Sequence, residues 1–115
     1  MSLQEIQEYL HEHIPLSKAM AVEVREADTE HVCLEAPLGP NINHRETVFG
    51  GSASAVAILA AWSLLHLRLR EEGVKFQLVI QRNSMEYRRP IAGPFRAKAR
   101  LVEPDSWSRF TTTFE

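Results

Sequence analysis

The chain has 115 residues, 44% of them hydrophobic and 24% charged, and 13 basic against 15 acidic side chains give a formal net charge of −2. That length holds one hydrophobic core, so residues 1–115 are read as a single domain, and the composition excludes a disordered chain. The charge balance excludes a strongly basic footprint, so nucleic acid is not an expected partner.

Cys33 is the single cysteine, which forbids an internal disulfide and suits a reducing, cytoplasmic setting. The first residues carry acidic groups and lack the uninterrupted apolar region of a secretory signal. The longest apolar run, Ala53 to Leu65, is shorter than the roughly 20 residues a bilayer span needs. No membrane partner is expected.

In chain order, Leu3, Ile6, Tyr9 and Leu10 recur at helical spacing, predicting an amphipathic helix over Ser2 to His13 with Ser2 as N-cap and Glu5 completing a capping box. Pro15 ends it. Ala19 to Val24 and His31 to Leu38 alternate as strands around a polar turn, Ala27 to Glu30, and Pro37, Gly39 and Pro40 stop the second. From Gly51 to Arg70 the chain is apolar on nearly every side, which predicts an enclosed helix, with Arg68 and Arg70 at its C-terminal end and Gly73 as C′ residue. Lys75 to Tyr87 reads as a long strand, Pro90, Gly93 and Pro94 as a turn, and Phe95 to Val102 as a strand with Arg96, Lys98 and Arg100 on its wet face. Glu103 to Ser106 turns the chain into a last strand from Arg109, which Glu115 cuts short as a truncated fragment would. The class is α+β: one long central helix wrapped by a curved antiparallel sheet, with an extra N-terminal helix. A lone curled sheet leaves open edges, so a homodimer or dimer of dimers is expected.

Pro40 to Ser52 joins strand to core helix and is the most polar and glycine-rich stretch set against the most apolar one. Gly50 and Gly51 leave the backbone bare of Cβ where the first helical turn has unpaired N–H groups. Those groups and the positive end of the helix dipole can stabilise an oxyanion. A tight turn needs the same glycines. Asn43, His44 and Glu46 beside them favour chemistry, with Glu46 the first choice of general base and His44 the second. A solvated acid and a loop hydrogen-bonder are the plain alternatives for these two.

His11 and His13 are two residues apart on a helix, so they point to different faces, and His31 and His66 stand alone; no metal set emerges. Ser52 and Ser54 lack a nucleophile-elbow motif, and Ser52 is better explained as a helix cap. Arg88 and Arg89, with Arg82, Arg96, Lys98 and Arg100, can meet phosphates or simply form a solvated face. Trp62, Trp107 and Met85 are read as core or interface.

The run Asn43-x-x-x-x-x-Phe49-Gly50-Gly51 resembles the Asn-x-x-Gly-x-x-His-Gly-Gly pattern of phenylacetyl-CoA-type thioesterases in the hot-dog superfamily. Asn43-His44-Arg45-x-Thr47-x-Phe49-Gly50-Gly51-Ser52 is more similar still to the thioesterase domain at the C-terminus of YiiD acetyltransferase-like proteins. The resemblance implies a hot-dog fold and hydrolysis of an acyl-CoA or acyl-carrier-protein thioester, with no cofactor besides the coenzyme A of the substrate. It implies that Asn43 orients water or thioester and that Gly50 or Gly51 N–H faces the thioester oxygen; Phe49, Ser52, Arg88 and Arg89 are the candidate substrate contacts beside them. Two departures stand out: Phe49 replaces a histidine, and Ile58 stands near where relatives carry a helical aspartate. No carboxylate precedes Glu71 in the core helix, so that mechanism does not transfer intact. A non-catalytic acyl-CoA or fatty-acyl binding dimer is the alternative these departures favour.

Overall fold

The computed structural model describes residues 1–73, 78, 82–101 and 110–114, the last five by their backbone. Helix α1 (Leu3–His13) is followed at once by α2 (Pro15–Ala19), strands β1 (Glu23–Ala27) and β2 (His31–Ala36), the long helix α3 (Gly50–Glu71), and strands β3 (Phe95–Leu101) and β4 (Phe110–Phe114).

Helix α1 begins on the predicted capping box. Ser2 Oγ accepts from the Glu5 N–H at 3.1 Å, and the Ser2 N–H donates to Glu5 Oε1 at 3.0 Å. Ile6 and Leu10 are its buried residues, while Leu3 is exposed. Pro15 does more than end this helix. With its fixed φ and missing N–H it sits at the first position of α2. The chain then turns through Met20 and Ala21, whose φ of 56° is left-handed. The first strand therefore starts at Glu23 rather than Ala19 as expected.

The sheet order is β1-β2-β3-β4, all antiparallel. Asp28 closes the β1–β2 turn as expected, its Oδ1 accepting from the Glu30 and His31 N–H groups at 2.7 and 2.8 Å. Burial alone would raise the Asp28 carboxyl, but these two donors and His31 outweigh it and hold the group below the usual range. At the outer edge, the Val24 N–H donates to Gln7 Oε1 at 3.0 Å and His11 Nε2–H donates to the Val22 carbonyl at 2.8 Å. Helix α1 thus satisfies one edge group of β1 and one just before it, which would otherwise invite another strand.

Register places Val32 opposite Ala99, Leu34 opposite Ala97 and Ala36 opposite Phe95, all buried on the inner face. The alanines make the sheet shallow there, so α3 can settle on β2 and β3 with Ala53, Val56, Ala60 and Leu64 buried. By length and composition α3 could cross a bilayer, and its apolar character extends beyond the expected run. It is instead the core helix. Enclosure is less complete than expected among the described residues: Ala57, Ile58, Leu65 and Leu69 stay half-buried. At its far end the Gly73 N–H donates to the Arg70 carbonyl at 3.1 Å with φ of 71°, as a C′ glycine does.

Of the expected strand over Lys75 to Tyr87, residues 75–77 and 79–81 lie outside the described residues, while 82–87 form no ladder. The expected turn over Glu103 to Ser106, Trp107 and Glu115 also lie outside them.

Candidate active site

The segment from Ile42 to Gly51 folds into a closed loop set against the start of α3. Ile42 and Val48 form an isolated antiparallel bridge, and the Asn43 N–H donates to the Thr47 carbonyl at 2.8 Å. The Asn43 side chain is spent inside this loop. Its Nδ2 donates to Thr47 Oγ1 at 2.9 Å and its Oδ1 accepts from the Arg45 N–H at 2.8 Å and the Thr47 N–H at 3.2 Å. Asn41, buried below, donates from Nδ2 to the Met20 and Pro37 carbonyls at 2.9 and 2.8 Å and so ties the loop base to the body of the protein.

His44 and Glu46 lie at the exposed tip of the loop, and neither side chain has a partner among the described residues. Glu46 holds φ at 62°, a left-handed backbone that a non-glycine residue adopts at a cost.

Helix α3 starts at Gly50, one residue earlier than expected, with Phe49 at the N-cap. A phenyl ring cannot accept a hydrogen bond from the first turn, and no side chain caps this helix. Ser52, expected as the cap, is inside the helix, where its N–H donates to the Phe49 carbonyl at 3.0 Å. The Gly50 and Gly51 N–H groups have no acceptor among the described residues. The Phe49 ring folds back over Gly51, where a Cβ would stand 2.4 Å from Cε2. Phe49 is itself 56% exposed.

A residue that sequence reasoning left among strand positions completes the surroundings. Tyr87 donates from its hydroxyl to the Gly50 carbonyl at 2.9 Å, and its ring lies 3.4 Å from where a Gly50 Cβ would be. Nearby, the Val48 N–H donates to the Ile91 carbonyl at 2.8 Å, so the segment from Tyr87 to Ile91 runs beside the helix start. Arg88 and Arg89 belong to this segment and are exposed, with Arg88 paired to Glu86 at 3.3 Å. Arg96 is elsewhere: it reaches Glu35 at 2.9 Å on the outer face of the sheet, away from α3. There Arg96 and Arg25 hold the Glu35 carboxyl below the usual range.

The family described as "Putative thioesterase (yiiD_Cterm)" matches residues 3–115. The chain belongs to that family. A protein of unknown function from Chlorobaculum tepidum superposes with a TM-score of 0.84 at 30% identity over 91% of this chain, which spans 64% of that protein's length. A crystal structure described as a "putative thioesterase" from Shewanella oneidensis gives 0.87 at 23% identity, covering 98% of this chain and 85% of the other. The thioesterase HI1161 of Haemophilus influenzae gives 0.71 at 16% identity over 90% and 70%. The fold is the hot-dog fold of this superfamily, as the motif around Gly50 implied.

Within the hot-dog frame, Ile58 is a half-buried apolar residue of α3 and Phe49 covers glycine, so neither departure supplies a proton acceptor. Among the described residues, His44 and Glu46 are the imidazole and carboxylate that precede the helix start in the loop, and the Tyr87 hydroxyl lies on the Gly50 carbonyl. A cleft of about 400 Å³ lies at the other end of α3, lined in part by Asp28, Leu67, Arg70 and Glu71. None of the candidate residues lines it.

The remaining histidines make structural contacts: His11 meets the Val22 carbonyl, and the His13 ring lies 4.2 Å from that of Tyr9. His31 lies between Glu26 and Asp28 at 3.4 and 3.1 Å, and His66 stacks on Trp62 with ring centroids 4.8 Å apart.

Proposed function

We propose that the protein hydrolyses an acyl thioester carried on coenzyme A or an acyl-carrier protein, at the N-terminus of α3. The observation that carries this reading is the pair of Gly50 and Gly51 N–H groups, left without an acceptor among the described residues at the head of a 22-residue helix whose N-cap is phenylalanine. Two such donors at the positive end of a helix favour the negative charge that builds on a thioester oxygen under attack.

Water adds to the carbonyl carbon and gives its proton to Glu46, with His44 as second candidate. The resulting oxyanion accepts from Gly50 and Gly51, and its collapse breaks the C–S bond. The thiolate takes up a proton and leaves, with a carboxylic acid as the other product. The left-handed backbone at Glu46 supports this assignment, because strain of this kind gathers at functional positions. Asn43 holds the loop that presents Glu46. Phe49 and Ser52 border the acyl group, and Arg88 and Arg89 meet the phosphates of the carrier. A cytoplasmic homodimer, or a dimer of such dimers, is the working form, with the half-buried Ala57, Ile58 and Leu65 face of α3 covered by the second copy. No cofactor takes part.

Release of free thiol from acyl-CoA esters of graded chain length, and from an acyl-carrier protein, tests the reading. Turnover by the wild-type protein and its loss in Glu46→Gln with retained ligand affinity is the expected result. If no ester yields thiol while acyl-CoA still binds, the protein is a binder and the hydrolase reading falls.

A further inference from the structure

The hydroxyl of Tyr87 touches the protein at the carbonyl of Gly50. That carbonyl and the Gly51 N–H are the two ends of one planar peptide group. We infer that Tyr87 is a positioning residue for the Gly51 amide, fixing the plane of the Gly50–Gly51 peptide and sharpening its N–H as an oxyanion donor. The inference rests on the thioester reading of the helix terminus and assigns a part in it to a residue distant in sequence.

The start of this helix calls for such a device. The helix opens on two consecutive glycines, whose backbone is the softest available, and no side chain caps them. An oxyanion donor is effective only when it is already aimed, since any reorientation during the reaction is charged against the barrier. Tyr87 supplies the constraint by both of its parts. The ring lies against Gly50, with Cε1 and Cζ 3.4 and 3.5 Å from the position of a Cβ, and the hydroxyl donates at 2.9 Å. The segment that bears it is tied down four residues on, where the Ile91 carbonyl accepts from Val48. These two bonds straddle Phe49, so residues 48 and 50 are both held from the same side.

The electronic effect has the same sign as the geometric one. Donation to an amide oxygen draws density toward it and leaves the nitrogen end more positive, strengthening the hydrogen bond that the N–H donates by about 10–30%. The gain grows as charge appears on an oxygen accepting from Gly51, so it favours the transition state over the bound ester.

Tyr87→Phe keeps the ring and removes only the hydroxyl. In thiol-release kinetics we expect kcat to fall on the order of tenfold with KM within about twofold, less than the hundredfold or more that follows loss of a direct oxyanion donor. In an amide ¹H–¹⁵N spectrum, the Gly51 resonance should move upfield in both dimensions while those of Gly39 and Gly93 stay in place. Tyr87→Ala, which also removes the ring, should add a rise in KM. An active wild-type protein whose Tyr87→Phe variant keeps its kcat, or a Gly51 resonance unmoved by the substitution, overturns the inference. Absence of thiol release by the wild-type protein sinks the thioester reading instead, and the Gly51 resonance then decides by itself whether Tyr87 polarises this peptide.

Discussion

Asn43 and Thr47 hydrogen-bond each other twice through the Asn43 side chain, which donates to the Thr47 hydroxyl at 2.9 Å and accepts from the Thr47 N–H at 3.2 Å. The carboxamide is thereby committed to shaping the loop that carries His44 and Glu46. Asn43→Ala should cost about 1–3 kcal/mol in urea unfolding, because several half-buried partners lose their bonds at once. Asn43→Asp keeps the Oδ1 acceptor and should recover most of that loss. If Asn43 serves the reaction only by shaping the loop, turnover recovers in parallel with stability. Turnover that stays low in Asn43→Asp at wild-type stability would mean that its amide N–H groups act on the substrate.

Gly50 and Gly51 should respond differently to the same added methyl. At Gly50 a Cβ meets the Tyr87 ring at 3.4 Å, an ordinary contact, whereas at Gly51 it meets Phe49 Cε2 at 2.4 Å. Phe49 is exposed, so its ring can swing away, and alanine is the better residue within a helix by up to about 1 kcal/mol. Gly51→Ala should therefore leave the melting temperature unchanged or slightly higher while thiol release falls at least tenfold, with the Cβ and the displaced ring crowding the amide. Gly50→Ala should raise stability with a smaller loss of turnover. Equal losses in the two variants would argue that the Phe49 ring plays no part.

What could be read in the sequence was what its own neighbours decide. Ser2 with Glu5, the Asp28 turn and Gly73 after Arg70 are interactions over two to four residues, and each formed where expected. The period-2 burial of β3 was equally legible, since alternation is a property of the strand itself. The first strand was misplaced because Pro15 both ends one helix and begins another, and because the left-handed turn at Ala21 is one that alanine gives no sign of. Ser52 was misread as a cap because the helix begins at Gly50, behind a phenylalanine that no capping preference would choose. Tyr87 lies 37 residues from the glycine it touches. Only the fold brings them together.

His66 links the two long helices and should make their packing sensitive to acid. Its ring stacks on Trp62 and lies 4.9 Å from that of Tyr9 on α1. Burial, then the positive charges of Arg70 on its own helix and His13 on α1, push its pKa below the ordinary 6.5. Near that value the unfolded chain binds more protons than the folded one, so stability rises with pH. The contribution is complete above about 6.5 and is lost as pH falls through the lower folded value. The urea midpoint should therefore drop between about pH 7 and pH 5. His66→Phe, which keeps a ring on Trp62 and cannot take a proton, should show a shallower decline. Parallel profiles for the two proteins would assign the acid sensitivity to other groups.

Glu46 separates stability from activity most sharply. A non-glycine residue at φ of 62° is disfavoured by roughly 1–2 kcal/mol relative to right-handed backbone, whereas glycine adopts that region freely and loses part of the gain to the entropy of its unfolded state. Glu46→Gly should thus stabilise the protein by about 0.5–1 kcal/mol, since the exposed carboxylate has no partner among the described residues to lose. The same variant should release thiol at a small fraction of the wild-type rate if Glu46 accepts the proton of the attacking water. Glu46→Gln keeps the strained backbone and should lose the rate without gaining the stability. A fully active Glu46→Gly would pass the role of base to His44, and His44→Gln would then be the variant that loses turnover.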